Sequence, residues 1–130
     1  MSRRLDVLLV DDDPCERVFI EDALDAIGCA YRLTYVEDGR SALERLHDHR
    51  PDVMILDLRM PGLTGFDVLK AVREDPALEP MTVFVVSNSM IEADRKQALD
   101  MGAQDYRVKP ITSDGYAALV EAVCERLNGA

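Results

Sequence analysis

The chain has no tryptophan, and aromatic residues of all kinds make up only 5% of its 130 residues. It has three cysteines, Cys15, Cys29 and Cys124, with no CxxC pair and no cysteine and histidine at ligand spacing. This pattern argues against a disulfide scaffold and against a zinc finger. Reduced thiols in a cytoplasmic protein are the simplest interpretation.

Long apolar runs and an excess of basic residues are also absent. The apolar stretch after the basic residues 1–4 is short and runs into three aspartates, which predicts a strand rather than a signal peptide. No stretch is long enough to span a bilayer, so we expect no membrane partner. Fifteen Lys and Arg against 25 Asp and Glu give a net charge of −10. Direct binding of nucleic acid is therefore not expected.

Strand-like and helix-like segments alternate five times along the chain. Continuous apolar runs predict strands at residues 6–10, 53–56 and 83–86, and polar-interrupted runs predict two more at residues 31–36 and 106–108. Continuous runs are typical of strands that are buried on both faces, whereas alternating ones are typical of edges. The first, third and fourth strands are therefore predicted to be central, and the second and fifth to be edges.

Helical periodicity fills the intervals between these strands. Asp13, Pro14 and Glu16 fit the N-cap, first and third positions of the first helix, and Gly28 fits its end. The other predicted helices are residues 41–46, 66–73 and 91–101, and a last helix with an apolar face formed by Tyr116, Leu119, Val120, Val123 and Leu127.

Five βα units predict a single α/β domain over residues 1–130, with a doubly wound five-stranded parallel sheet and five helices. The division into central and edge strands agrees with the order 2-1-3-4-5. In that order the first and third strands are neighbours at the switch point, where open α/β sheets bind ligands.

Carboxylates follow these two strands. Asp11, Asp12 and Asp13 follow the first strand, and Asp57 follows the third, before a turn at residues 60–62. Carboxylates that converge on one cleft repel one another unless a cation joins them, and Mg²⁺ prefers such oxygen ligands. Because Asp13 fits an N-cap, the predicted metal ligands are Asp11, Asp12 and Asp57.

Two other polar side chains follow the fourth and fifth strands. Ser87 ends the fourth strand, and Lys109 follows the fifth. Together with the acids, they form a set that would bind a cation and then a phosphoryl group. Asp57 would attack, Lys109 would neutralise the developing charge, and Ser87 would donate a hydrogen bond to a phosphoryl oxygen.

With these motifs the chain resembles the receiver domain of two-component response regulators, the CheY-like superfamily with the flavodoxin-like fold. The matching stretches are residues 8–14, 53–65 and 102–110, together with Ser87, so the resemblance covers nearly the whole chain. It implies a stand-alone receiver with no output domain. Such a protein is a phosphoacceptor rather than an enzyme, phosphorylated on Asp57 by a sensor histidine kinase or a phosphotransfer protein in a Mg²⁺-dependent (or Mn²⁺-dependent) reaction.

The resemblance also implies a role for each site residue. Asp12 and Asp57 would bind the metal directly, Asp11 would act through water, and the backbone carbonyl of Arg59 would be a further ligand. Lys109 would pair with the phosphoryl group.

The peptide bond between Lys109 and Pro110 is expected to be cis in this family. The family further implies a conformational switch, in which the phosphoryl group draws in the hydroxyl of Ser87 and Tyr106 moves into the vacated space. The physical basis is the added negative charge next to a hydroxyl that can reorient.

Some positions depart from the family pattern or vary within it. Asn88 stands where a small residue is usual, so it narrows access to Asp57 or adds a hydrogen bond. Arg59 and Ser89 occupy positions that tune the lifetime of the phosphorylated form.

The fourth helix is polar, and elements that move are drawn from the least stable parts of a fold. We therefore expect helix 4, strand 5 and helix 5 to bind a separate downstream protein or a second copy of the chain.

Three alternatives remain open from the sequence. A haloacid-dehalogenase-type phosphatase also uses Asp and Mg²⁺, but it requires Thr or Val where this chain has Cys15. A flavodoxin-type cofactor binder would need a phosphate loop in place of the acids at residues 11–13. A receiver fold could also serve as a phosphorylation-independent interaction module.

Finally, residues 73–89 resemble single-domain regulators that pair with phytochrome-type kinases.

Overall fold

The computed structural model describes residues 4–128, and side chains are described for residues 4–125. Residues 1–3 of the basic start and the side chain of Leu127 therefore lie outside the described part. The strands are β1 (Leu5–Val10), β2 (Tyr31–Val36), β3 (Val53–Leu56), β4 (Thr82–Ser87) and β5 (Asp105–Val108). The helices are α1 (Pro14–Ala26), α2 (Gly39–Asp48), α3 (Gly65–Glu74), α4 (Glu92–Asp100) and α5 (Ser113–Asn128).

The strands form one parallel sheet in the order β2-β1-β3-β4-β5. This order confirms the prediction from the sequence. The prediction of edge strands is also confirmed, because β2 is only half-buried whereas β3 is buried throughout. The ends of β1 and β3 are in register, with Val10 opposite Leu56, so the residues that follow them are brought side by side.

Alternate residues of the central strands feed two separate cores, one on each face of the sheet. Leu8 and Met54 belong to the core that is covered by α2, α3 and α4. Leu9 and Ile55 belong to the core that is covered by α1 and α5. Because successive strand residues point to opposite faces, a continuous apolar strand needs helices on both sides. The apolar face predicted for α5 is confirmed for its buried members, which are Tyr116, Leu119, Val120 and Val123.

The first helix begins and ends where the sequence predicts. The side chain of Asp13 accepts a hydrogen bond from the backbone of Cys15, and Pro14 is the first helical residue. Gly28 follows the helix with a φ of +72°, a conformation that other residues rarely adopt. Glu16 occupies the third helical position, but its carboxylate accepts a hydrogen bond from the Tyr116 hydroxyl, and the backbone N–H of Asp13 donates to Asp11 instead.

The second and third helices are longer than the sequence predicts. Both extend to ten residues, because side chains upstream of the apolar positions act as N-caps. Asp38 accepts from the backbone of Ser41, and Thr64 and Asp67 form a reciprocal capping box.

None of the described helices is both long enough and apolar enough to cross a membrane.

Candidate functional site

The loop after β1 brings two carboxylates to the edge of the sheet. Asp11 is buried, with 3% of its surface exposed, and it accepts a hydrogen bond from the backbone of Asp13 at 2.9 Å. Asp12 is exposed. Burial raises the pKa of the Asp11 carboxyl, and the hydrogen bonds from Asp13 and Lys109 offset this only in part. Burial therefore destabilises the charged form of Asp11, and a bound cation would stabilise it.

Asp57 lies beside these residues at the end of β3. Its backbone donates to the Val10 carbonyl at 3.0 Å, and its side chain is 4% exposed. Gly65, at the start of α3, packs against the same backbone, where an added Cβ would lie 2.3 Å from the Asp57 carbonyl oxygen. Burial and the charge of Asp11 raise the pKa of the Asp57 carboxyl, against the opposing effect of Lys109.

The three carboxylates predicted as metal ligands come together in the structure. Asp11, Asp12 and Asp57 each offer an oxygen, and these oxygens lie within 4.8 Å of one another. Hard cations such as Mg²⁺ bind such oxygen donors and relieve the repulsion between them. The set fits a divalent cation. Two of its members, Asp11 and Asp57, are buried, so water can solvate their charges only in part.

Lys109 is the cation that the fold itself brings to this cluster. Its Nζ lies 2.9 Å from Asp11 Oδ2 and 3.6 Å from Asp57 Oδ2, and its side chain is 8% exposed. Burial alone would lower the pKa of the amine, but the hydrogen bond to Asp11 and the charges of both acids raise it. The amine is therefore charged at neutral pH, and it lies close to both carboxylates.

One expectation about Lys109 is wrong. The structure has no cis peptide bond among the described residues, so the bond from Lys109 to Pro110 is trans. The trans form is intrinsically favoured even before proline, by about 0.5–1 kcal/mol. The lysine reaches the site nonetheless, because its backbone donates to the Ser87 carbonyl at 2.9 Å and continues the pairing of β4 with β5.

Ser87 and Tyr106, the two residues predicted to form a switch, lie in neighbouring strands. Ser87 is fully buried, and its Oγ accepts a hydrogen bond from the backbone of Ser89 at 3.2 Å. Tyr106 is 8% exposed, and its hydroxyl donates to the Ser89 carbonyl at 2.7 Å. The aromatic ring is therefore packed inward in this structure, and Ser89 contacts both predicted switch residues.

The residues predicted to tune the lifetime lie at the mouth of the site. Arg59 donates from its backbone to Asp57 Oδ1 at 3.4 Å, and its guanidinium pairs with Asp94 of α4 at 2.6 Å. Ser89 Oγ donates to the same Asp94 oxygen, also at 2.6 Å. Asn88 is exposed. The hydrogen bond from Ser89 and the charge of Arg59 lower the pKa of the Asp94 carboxyl.

Sequence reasoning missed two acids near the site, Asp94 and Glu16. Glu16 is buried, and the Tyr116 hydroxyl lies 2.9 and 2.8 Å from its two carboxylate oxygens, which ties α1 to α5. Burial raises the pKa of Glu16, although Tyr116 and Lys109 act in the opposite direction. The one available clue was that Glu16 falls on the same helix face as the buried Ile20 and Ala23.

The fold and the site together define a class of protein: a doubly wound α/β domain with a buried acidic cluster and a lysine at the carboxyl edge of its sheet. A sequence profile of the response regulator receiver domain matches residues 7–121. The chain belongs to this family, the receiver domains of two-component response regulators.

Individual relatives agree with this assignment. The chain is 36% identical to the chemotaxis protein CheY of Pseudomonas aeruginosa over 126 residues, which are 95% of this chain and 98% of that protein. It is 38% identical to a probable transcriptional regulator, ycf27, of Guillardia theta, covering 95% of this chain but 47% of that protein. The chain thus spans about half the length of several curated relatives that it matches.

Among solved structures, the fold is similar to that of the phosphorylated cyanobacterial phytochrome response regulator RcpA. The TM-score is 0.86 at 27% sequence identity, and the match covers 95% of this chain and 93% of that one. The response regulator CheY4 of Vibrio cholerae is similar with a TM-score of 0.81 at 27% identity, over 93% of this chain and 99% of that one.

Proposed function

We propose that the chain is a phosphoacceptor and that its Asp57 receives the phosphoryl group from a histidine kinase or a phosphotransfer protein. The main support is the geometry around Asp57. Its carboxylate is buried at a strand end, 3.6 Å from the Lys109 amine, and shares a cleft with two further carboxylates. A carboxylate that served only as a metal ligand would not need a second, fixed cation beside it.

The acids fit Mg²⁺ or Mn²⁺. Asp12 and Asp57 would hold the ion directly, Asp11 would act through water, and the Arg59 carbonyl would be a further ligand. When bound, the ion supplies charge neutralisation on the phosphoryl oxygens. The raised pKa values of Asp11 and Asp57 imply that the ion competes with protons for these oxygens, so binding should weaken as the pH falls.

In the transfer itself, an Asp57 oxygen attacks the phosphorus of a phosphohistidine. The P–N bond breaks, its electron pair returns to the imidazole, and the product is an aspartyl phosphate. The Lys109 ammonium offsets the negative charge that remains near Asp57. Ser87 accepts a hydrogen bond from Ser89 in this structure, so its own hydroxyl proton is available to a phosphoryl oxygen.

The proposed output surface consists of α4, β5 and α5. Met90 and Ile91, just before α4, and Val108 at the end of β5 are large apolar side chains that are exposed beside this surface, and Tyr106 lies in the same strand as Val108. We propose that phosphorylation changes the affinity of this surface for a separate downstream protein or for a second copy of the chain. The likeness to a phytochrome response regulator supports a phytochrome-type kinase as the donor. The three free cysteines support a cytoplasmic location.

Incubation with acetyl phosphate and Mg²⁺, followed by intact-protein mass spectrometry, tests the assignment of Asp57. We expect labelling of the wild type, none of Asp57→Asn, and strongly reduced labelling when EDTA removes the metal. Asp13→Asn is the matched control, because it neutralises an acid of the same loop and asparagine is an equally good N-cap. Size-exclusion chromatography of the labelled protein distinguishes a homodimer from a monomer that needs another partner.

Equal labelling of Asp57→Asn and wild type would overturn the assignment. Release of phosphate from an added phosphoester at a constant rate over many turnovers would instead favour a phosphatase. Absence of labelling, combined with an unchanged capacity to bind a partner, would favour a phosphorylation-independent interaction module.

A further inference from the structure

A single carboxylate oxygen joins the mouth of the site to α4. Asp94 lies in the first turn of this helix, and its side chain is only 13% exposed. Its Oδ2 accepts hydrogen bonds from the Arg59 guanidinium and from the Ser89 hydroxyl, each at 2.6 Å. Asp94 therefore holds together the loop after β3, the loop after β4 and the start of α4.

Both partners of Asp94 are directly connected to the phosphoacceptor site. The Arg59 backbone N–H is 3.4 Å from Asp57 Oδ1, so its side chain begins beside the reacting carboxylate. The Ser89 backbone donates to Ser87 Oγ at 3.2 Å, and Ser89 Oγ also accepts from the backbone of Ile91. A continuous series of hydrogen bonds thus runs from the buried Ser87 hydroxyl to Asp94.

Arg59 is the most exposed member of this group. Its side chain is 60% exposed, and the pair with Asp94 is what fixes it on the α4 side of the cleft. A phosphoryl group on Asp57 would offer a competing anion, with oxygens that match the geometry of a guanidinium. The position of Arg59 is therefore set by a competition between Asp94 and the phosphoryl group.

We propose that Asp94 is a positioning residue for the loss of the phosphoryl group: by holding Arg59 aside, it leaves the phosphorus of phosphorylated Asp57 open to water. This proposal rests on the proposed function. In the hydrolysis, a water oxygen attacks the phosphorus and the bond to the Asp57 oxygen breaks. The electron pair stays on the restored carboxylate, phosphate leaves, and a proton passes to solvent. A released Arg59 would pair with the phosphoryl oxygens, stabilise the aspartyl phosphate and shield it.

The arrangement also couples lifetime to partner binding. A partner that docks on α4 and displaces Asp94 would release Arg59 and lengthen the life of the phosphorylated form. Because the phosphoryl group and Asp94 compete for Arg59, phosphorylation would in turn favour the arrangement in which Arg59 is released from α4.

The test compares Asp94→Asn with Glu92→Gln. Both variants remove one negative charge from the first turn of α4, but Glu92 is 79% exposed and, among the described side chains, pairs only with Arg95. Each protein is phosphorylated with acetyl phosphate and Mg²⁺, the donor is removed, and the decay is followed by intact mass. We expect Asp94→Asn to decay about three- to fivefold more slowly than wild type, which is the upper part of the range by which a partly exposed ion pair changes an equilibrium constant. Glu92→Gln should decay as the wild type does.

Two further variants separate positioning from a general effect on folding. Asp94→Glu retains the carboxylate and should restore a decay rate close to that of the wild type. In an Arg59→Ala background, Asp94→Asn should lose its effect on the decay, because its target is gone. A merely structural role would instead lower the melting temperature in both backgrounds and leave the decay rates equal.

Equal or faster decay of Asp94→Asn relative to Glu92→Gln would overturn the proposal, and so would an undiminished effect in the Arg59→Ala background. In either case the wild type would still be labelled on Asp57, so the proposed function would stand. Failure to label the wild type at all would overturn both proposals.

Discussion

Helices α3 and α4 lie on the same face of the sheet, and they are anchored very differently. The first turn of α3 has a complete capping box between Thr64 and Asp67, and the helix buries Val68, Leu69 and Val72. The N-cap position of α4 is Ile91, whose side chain makes no capping hydrogen bond, and Ala98 is the only buried residue of that helix. Helix α3 follows the loop of Asp57, whereas α4 follows the loop of Ser87 and Ser89.

This difference indicates that the two helices meet different requirements. The proposed phosphoacceptor needs a fixed backbone, since misplacement of a reacting group by about 1 Å can cost roughly a hundredfold in rate. The responding element needs two arrangements of similar free energy, which requires few buried contacts. A rigid α3 beside the acceptor and a loosely held α4 beside the predicted switch residues meet both requirements.

The largest expected effect tests the anchoring of α3. Arg73, near its end, donates to the carbonyls of Glu79, Met81 and Gly102 and to the side chain of Gln104. We expect Arg73→Ala to lower the free energy of unfolding by about 2–4 kcal/mol, since several part-buried acceptors lose a charged donor at once.

Arg95→Ala on α4 is the matched control for that change. Arg95 makes an exposed i,i+3 pair with Glu92, and pairs of this kind contribute less than about 0.5 kcal/mol. Urea denaturation of both variants measures the difference directly. Comparable losses in the two variants would contradict the contrast between the helices.

The next effect concerns the first turns of the two helices. Thr64→Ala should destabilise the protein by about 1 kcal/mol, because it removes the cap of α3. Ile91→Ser should stabilise it by about 0.5–1 kcal/mol, since the backbone of Ile91 is already extended and its side chain is 59% exposed. Thermal unfolding monitored by circular dichroism gives both values. A loss of stability in Ile91→Ser would mean that exposed Ile91 packs more tightly than its position indicates.

Much of this fold could be predicted from the sequence, because its pattern is local. Continuous apolar runs identify the central strands, and Asp13 with Pro14 and Gly28 marks the bounds of α1. The convergence of Asp11, Asp12 and Asp57 on one cleft follows from strand order alone, and the structure bears it out.

The features that sequence reasoning missed depend on contacts between distant residues. Glu16 has the spacing of a helix cap, but it bonds to Tyr116, a hundred positions away. Arg73 looks like an ordinary surface residue of α3 until the loops around it are in place. The trans bond at Pro110 was mispredicted because the expectation came from the family and not from this chain. A pattern of residue types carries no information on such pairings.

The last expected effect is the most local. Tyr106→Phe removes one hydrogen bond, from the hydroxyl to the Ser89 carbonyl, and should cost about 0.5–1 kcal/mol. Because Ser89 is also bonded to Asp94, the loss should loosen the loop after β4 and the start of α4, and hydrogen exchange should rise there and remain unchanged in α3. Tyr116→Phe is the control, since its hydroxyl lies on the opposite face of the sheet and should affect exchange in α1 and α5 instead. If Tyr106→Phe raised exchange equally in α3 and α4, the two helices would form one cooperative unit, and the assignment of rigidity to one and mobility to the other would fail.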